Sequence, residues 1–177
     1  MVTTGDPRPW TDPTRRATVV GVTRVPPPVL ALVAGLAQRL LTSDASPPTT
    51  TRKAAAATVA MASAAIAGTA SNQFRRSGTT VDPLHPDRAS ALVTSGPFSL
   101  TRNPMYVGMA GLVLANAVRR GSWLGLAPLA AFVVVIDRVQ IAAEEPVLRA
   151  KFGSKYDDYR GAVPRWLDRR SLTRLRP

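Results

Sequence analysis

The chain has 177 residues, of which 45% are hydrophobic, and a formal net charge of +12, enough for one domain with a sizeable core. It has no cysteine and one histidine, so disulfides and cysteine nucleophiles are excluded and no metal site is expected. The basic residues are spread along the chain and only 6% of residues are aromatic. This composition favours an anionic membrane surface over nucleic acid as the partner.

Residues 1–24 contain no apolar run and are interpreted as a disordered cytoplasmic tail before a single membrane domain at 25–177. Four apolar segments bounded by charge, proline or glycine are predicted to be helical: 29–41, 54–70, 105–118 and 123–136. Each is shorter than the roughly 20 residues that cross a bilayer unaided. Neighbouring residues lengthen them, however, so short or tilted spans are predicted. The expected fold is therefore all-α, with about four transmembrane helices.

The distribution of charge predicts a topology. If all four segments cross the membrane, the tail, the connection 75–102 and the part after residue 148 share one side and hold 17 of the 23 basic residues. Because cytoplasmic loops collect Lys and Arg, both termini are predicted to lie in the cytoplasm. The alternative is a soluble basic helical protein that binds nucleic acid, favoured only by the high pI and the short segments.

The third and fourth segments are joined by four residues, Arg119 to Ser122, and are predicted to form an antiparallel hairpin. Small residues such as Gly108 and Gly111 are expected to let the hairpin helices pack closely. After residue 145 the chain becomes basic and amphipathic, with apolar residues at spacings of four, four and three: Leu148, Phe152, Tyr156 and Tyr159. This pattern predicts an interfacial helix on the membrane surface.

One candidate site lies where the third segment begins, in the sequence Arg102-Asn103-Pro104-x-Tyr106-x-Gly108. Proline suits the first turn of a helix and asparagine is a good N-cap. Arginine beside exposed N–H groups suits an anion such as a carboxylate or phosphate. The alternative is an ordinary helix start with a cytoplasmic arginine.

A second candidate is Glu144-Glu145-Pro146, at the end of the fourth segment. Proline removes a backbone donor, so the helix is expected to kink or restart there. Adjacent helical residues point about 100° apart, so one glutamate can face a ligand while the other pairs with an arginine. Asp137, Gln140 and Glu144 form a polar stripe on this helix. Its alternative explanation is buried pairing with Arg138 or Arg102.

These elements occur in a characteristic order. Residues 73–167 contain "QFRRSGTTVDP", "LVTSGPFSLTRNPMYVG", "AAEEPVLRAKFGSKYDDY" and "VPRWL". They resemble the integral-membrane methyltransferases of the isoprenylcysteine carboxyl methyltransferase family and the related phospholipid methyltransferases. The resemblance implies an enzyme that binds S-adenosylmethionine at the cytoplasmic ends of the last two membrane helices, within residues 92–167, and methylates a lipophilic acceptor.

The resemblance also assigns residues to this site. The predicted cofactor-binding residues are Gly96, Pro97, Arg102, Asn103, Pro104, Tyr106, Gly108, Glu144 and Glu145, of which Arg102, Tyr106 and Glu145 are the catalytic candidates. The substrate candidates are Tyr156, Tyr159 and Arg165.

The chain departs from the family pattern in two places. Many members have histidine at the position of Asn103, and the isoprenylcysteine enzymes have arginine at the position of Ala162. The second departure disfavours a prenylcysteine carboxylate as acceptor, and a membrane lipid or hydrophobic small molecule is expected instead. A non-catalytic membrane scaffold or binder with the same fold is the alternative.

Overall fold

A computed structural model describes residues 25–43, 45–78 and 90–173. All regular secondary structure within these ranges is helical. The predicted tail at 1–24 lies outside the described residues. In chain order the helices are α1 (Pro27–Leu41), α2 (Thr50–Arg76), α3 (Pro104–Arg120), α4 (Leu126–Val135), α5 (Ala142–Phe152), α6 (Ser154–Ala162) and α7 (Arg169–Thr173).

Short segments of other helical types connect or extend these helices. A 3₁₀ turn, Gly96–Ser99, precedes α3. A second 3₁₀ turn, Trp123–Gly125, leads into α4, and a π-helical segment, Ile136–Ile141, joins α4 to α5. Residues 123–152 therefore form one long composite helix, so the predicted fourth segment extends further than its apolar residues indicate.

Local sequence sets the ends of α3. Pro104 occupies the first helical turn, where its missing N–H costs nothing. Gly121 ends the helix in the left-handed conformation, with φ of 64°, which glycine adopts without steric cost. The chain then turns at once into the composite helix, so the predicted connection between the third and fourth segments is confirmed.

The close packing around Gly108 and Gly111 involves α2, and the prediction that these glycines pack α3 against the fourth segment is wrong. A Cβ atom on Gly108 would lie 2.8 Å from both the Ser63 carbonyl oxygen and the Ala67 Cβ. A Cβ on Gly111 would collide with the Ser63 hydroxyl. The two glycines therefore let α2 and α3 approach along their length, an arrangement typical of helix pairs in membranes.

Helix α1 packs against both α3 and α4. The fully buried Gln38 donates its amide N–H groups to the carbonyls of Val113, at 3.0 Å, and Gly125, at 2.8 Å. It accepts a hydrogen bond of 2.7 Å from Asn116. Because a buried polar group is costly unless it is bonded, these contacts fix the position of α1 on the hairpin.

Two helices are long and apolar enough to cross a membrane, Thr50–Arg76 and the composite Trp123–Phe152. Helix α1 is a shorter apolar helix and α3 has 17 residues, so the count of four spans stays a prediction. Leu32, Leu36 and Leu40, spaced by four on α1, are all exposed. Such an apolar stripe is compatible with lipid contact.

The predicted single amphipathic helix after residue 145 is two helices, since Gly153 breaks the chain direction with φ of 57° and ψ of −134°. The interpretation of Tyr156 and Tyr159 as aromatics of the membrane interface is also wrong. Both are buried, in a cluster that includes Ala70 of α2 and Phe98. Their rings therefore hold α6 against the protein.

The helix does not restart at Pro146, which lies inside α5. The irregularity falls earlier, in the π-helical segment Ile136–Ile141. A π segment inserts an extra residue, which rotates all later side chains by about 100° relative to a continued α-helix. The direction of Glu144 and Glu145 therefore depends on this segment, which the sequence pattern did not indicate.

Candidate functional site

Arg102 lies two residues before α3 and is held in a polar pocket between helices. Its Nη1 donates to Glu145 Oε1 at 2.9 Å and to the Tyr156 hydroxyl at 3.1 Å, and its Nε donates to the Val163 carbonyl at 3.0 Å. The side chain is only 10% exposed. The Arg102 side chain is therefore bonded inside the protein, and its placement on the cytoplasmic side stays a prediction.

Arg165 binds the carboxylate of Glu145, which Arg102 also contacts. Its Nε and Nη2 donate to Glu145 Oε1 and Oε2 at 3.0 and 2.7 Å, and its Nη1 donates to Asp137 Oδ1 at 3.0 Å. These hydrogen bonds, to Glu145 above all, raise the pKa of Arg165 above its ordinary value, so the guanidinium is permanently charged. We call Arg102, Asp137, Glu145 and Arg165 the ionic cluster.

Glu144 faces a different set of partners. The Tyr106 hydroxyl donates to Glu144 Oε1 at 2.6 Å, and the Gln140 amide donates to the same oxygen at 2.6 Å. Tyr106 is buried in the core formed by α1, α3 and the composite helix. The prediction that one of the two glutamates pairs with an arginine is confirmed for Glu145, which contacts both Arg102 and Arg165. Of the arginines expected to pair with the polar stripe, Arg138 contacts Asp137 at 3.3 Å, but the Arg138 side chain is 81% exposed.

The segment 163–166 closes the site through its backbone. The Pro164 carbonyl accepts from the Arg102 N–H at 2.9 Å. The Arg165 carbonyl accepts from Thr101 Oγ1 at 2.8 Å and from Asn103 Nδ2 at 3.0 Å. Asn103 stands at the N-cap position but its side chain makes no capping hydrogen bond. The expected cap is thus replaced by a contact that joins the start of α3 to the C-terminal part.

Tyr156 and Trp166 complete the surroundings of the ionic cluster. Burial, the largest cause, raises the pKa of Tyr156, so its phenol stays neutral and accepts the hydrogen bond from Arg102. Trp166 Nε1 donates to Asp137 Oδ1 at 2.9 Å. The role of Asp137 as a shared acceptor was missed as a site feature, although its place in the polar stripe with Gln140 and Glu144 was a signal for it.

The other predicted cofactor-binding residues lie outside the ionic cluster; they are Gly96, Pro97, Pro104 and Gly108. Gly96 and Pro97 form the 3₁₀ turn before Arg102, where the Phe98 carbonyl accepts from the Tyr159 hydroxyl at 2.7 Å. Pro104 is buried in the first turn of α3. Gly108 lies in the contact with α2, so the structure shows a packing role for it, and its role in binding a cofactor stays a prediction.

Among the residues that the structure describes, no group of three or more His, Cys, Asp or Glu side chains has the arrangement of a metal site. The absence of a metal remains a prediction, since it concerns the whole chain.

The fold and site together define a helical protein with two candidate membrane spans and a cluster of arginines and carboxylates beside the start of α3. The family model described as phospholipid methyltransferase matches residues 51–155, more than half of the chain. The chain therefore belongs to the phospholipid methyltransferase family, which confirms the resemblance inferred from the motifs. The match includes Arg102, Tyr106, Glu144 and Glu145 but ends before Arg165.

Two curated proteins are similar to parts of the chain. An uncharacterized protein of Haemophilus influenzae is 38% identical over 63 residues, which are 36% of this chain and 100% of that protein. The nickel-cobalt-cadmium resistance protein NccN of Alcaligenes xylosoxydans xylosoxydans is 33% identical over 88 residues, which are 49% of this chain and 40% of NccN. The matched part thus spans less than half of NccN. No solved structure matches the chain significantly.

Proposed function

We propose that this protein transfers a methyl group from S-adenosylmethionine to a lipophilic acceptor, preferably a membrane lipid, at the cytoplasmic membrane surface. Membership of the phospholipid methyltransferase family supports methyl transfer as the class of reaction. The choice of site rests on one observation. Arg102 of the motif Arg-Asn-Pro-x-Tyr-x-Gly is hydrogen-bonded to Glu145 of the Glu144-Glu145 motif, so the two motifs meet in the fold.

The charges of the site fit this cofactor. The partly buried carboxylates are Asp137, Glu144 and Glu145, whereas the partly buried guanidiniums are Arg102 and Arg165. Arg138 also contacts Asp137, at 3.3 Å, but its side chain is 81% exposed. The site therefore offers both guanidiniums and carboxylates, and a ligand with a carboxylate, an ammonium and a sulfonium has groups of both charges to pair with them.

The donor set also fits the groups of the cofactor one by one. A guanidinium binds a carboxylate through charge-assisted hydrogen bonds, a role that Nη2 of Arg102 can fill at the start of α3. Glu144 suits an ammonium or a ribose hydroxyl, and Tyr106 and Gln140 orient its carboxylate. When bound, S-adenosylmethionine supplies a methyl group activated on a positively charged sulfur. The protein's own contribution is then mainly positioning of the two reactants and exclusion of water.

Glu145 and Glu144 are assigned different roles in this proposal. Glu145 is held between Arg102 and Arg165, which stabilise its charged form and make it a weak proton acceptor. Glu145 therefore positions the two arginines. If the acceptor is an ammonium that must lose a proton, Glu144, which accepts from the Tyr106 hydroxyl and the Gln140 amide, is also a candidate to take it.

Family membership favours an acceptor with an apolar tail. Val135 and Val139 of the composite helix are exposed apolar side chains, which are compatible with lipid contact. Because residues two apart on a helix point to nearly opposite faces, these valines do not line the ionic cluster around Asp137. Ala162, which replaces the arginine of the isoprenylcysteine enzymes, leaves prenylcysteine carboxylates a less favoured class of acceptor.

The test is methyl transfer to lipid extract from the native host, with purified protein in detergent and radiolabelled S-adenosylmethionine. Labelled lipid is expected, and Arg102→Ala should abolish it. Arg149→Ala is the matched control, because Arg149 is an exposed arginine that pairs with Asp157. Labelling of farnesylcysteine analogues alone would contradict the choice of acceptor. Cofactor binding without transfer to any acceptor would favour the non-catalytic alternative.

A further inference from the structure

A second polar site lies at the opposite end of the helices, where α3 ends and α2 begins. A groove of about 580 Å³ is bounded by the α1–α2 connection and by the turn between α3 and the composite helix. Its polar lining comes from Thr42, Ser46, Arg52, Arg120 and Ser122. Helix α3 has 17 residues, so about 25 Å separates this groove from the ionic cluster.

We propose that this groove binds the phosphate group of an anionic membrane lipid. The first argument is the positive charge that the described residues of the groove carry. Among the described residues, neither Arg52 nor Arg120 has a carboxylate partner, since the ion pairs found there involve other arginines. Arg119 and Arg39 lie close enough to Arg120 to oppose its charge further. An anion bound here would relieve this repulsion.

The second argument is unused hydrogen-bonding capacity. Arg52 Nη1 makes a long hydrogen bond of 3.4 Å to the Arg120 carbonyl, and Arg120 Nη1 donates to Thr42 Oγ1 at 3.0 Å. Arg120 Nε is buried and has no hydrogen-bond partner. Each guanidinium carries five donors, so both retain N–H groups for a ligand. A phosphate is the anion whose oxygens accept from two such groups at once.

The third argument concerns the source of the phosphate. Trp123 and Leu124 border the groove and are 87% and 60% exposed. Tryptophan at this exposure is typical of the membrane–water interface. An apolar rim beside a cationic groove matches a lipid, whose acyl chains lie along the rim, better than it matches free phosphate.

The turn is shaped to hold Arg52 over the groove. Gly121 has a φ of 64°, and a Cβ atom there would collide with the Arg52 guanidinium. Glycine is thus needed both for the backbone conformation and for the space that the arginine occupies. The site therefore joins three parts of the chain, and its occupation would fasten the start of α2 to the end of α3.

Lipid binding can be measured by native mass spectrometry of the full chain released from detergent. Phosphatidylglycerol and phosphatidylcholine with the same acyl chains are titrated in parallel, with inorganic phosphate as a third arm. Phosphatidylglycerol should bind preferentially, and Arg52→Gln or Arg120→Gln should weaken it by about tenfold, as loss of a charge-assisted contact implies. Arg119→Gln is the matched control: it removes the same charge from an exposed neighbour, and binding should change less than about twofold.

Three outcomes would overturn the proposal. Equal binding of the two lipids would exclude a preference for the anionic headgroup. Inorganic phosphate that competes as well as the lipid would exclude the lipid source. An equal loss in Arg119→Gln would show a general charge effect. Melting curves establish that the variants fold. Arg102→Ala should leave this binding unchanged, so the proposed methyl transfer and this site can fail separately.

Discussion

Replacing Gly108 by alanine tests whether this motif residue serves helix packing or cofactor binding. The new methyl group would lie 2.8 Å from the Ser63 carbonyl oxygen and 2.8 Å from the Ala67 Cβ. A backbone oxygen and a Cβ atom cannot move aside without separating α2 from α3. Overpacking of this kind costs about 1–3 kcal/mol, and the rigid neighbours place the cost near the upper value.

Alanine also improves helix propensity over glycine by about 0.8–1.0 kcal/mol, so the expected net loss of stability is about 2 kcal/mol. Thermal unfolding in detergent should show a lower melting temperature for Gly108→Ala. Gly68→Ala is the matched control, because Gly68 lies in α2 with nothing within 4 Å of an added Cβ, and it should be neutral or slightly stabilising. Equal melting temperatures of the two variants would refute the packing argument. Lost cofactor affinity with unchanged melting would restore the binding role.

Three further predictions concern other parts of the molecule. Calorimetry with the demethylated cofactor should show that Arg102→Ala weakens binding by about 1.5–3 kcal/mol; unchanged affinity would assign Arg102 to structure alone. Gln38→Met should lower the free energy of unfolding by about 1–3 kcal/mol, because the carbonyls of Val113 and Gly125 lose their donor. An unchanged free energy of unfolding would show that Gln38 does not stabilise the packing of α1. Burial raises the pKa of Tyr156 above 10.0. The protonated phenol therefore contributes its full share of the folding free energy below pH 10.0, and this share is lost as the pH rises through the folded-state pKa. Unfolding measured as a function of pH should lose this dependence in Tyr156→Phe.

The sequence by itself determined the helices and the membership of the family. Apolar segments bounded by charge and proline marked α1 to α4, and Pro104 marked the start of α3, because it acts through its own backbone geometry. The order of the motifs around Arg102 and Glu144-Glu145 identified the methyltransferase family that the comparison then showed. These features are local in the chain, so they can be seen before it folds.

Only the tertiary structure decided which groups meet. The pairing of Arg102 with Glu145 joins residues 43 positions apart, and the rotation that aims Glu145 depends on the π-helical segment before it. Gly108 faces α2 rather than the fourth segment, and Asn103 bonds the C-terminal part instead of capping its own helix. In each case several partners were compatible with the local sequence. Contacts between segments far apart in the chain selected one partner, and these contacts stabilise the fold only after the helices have packed together.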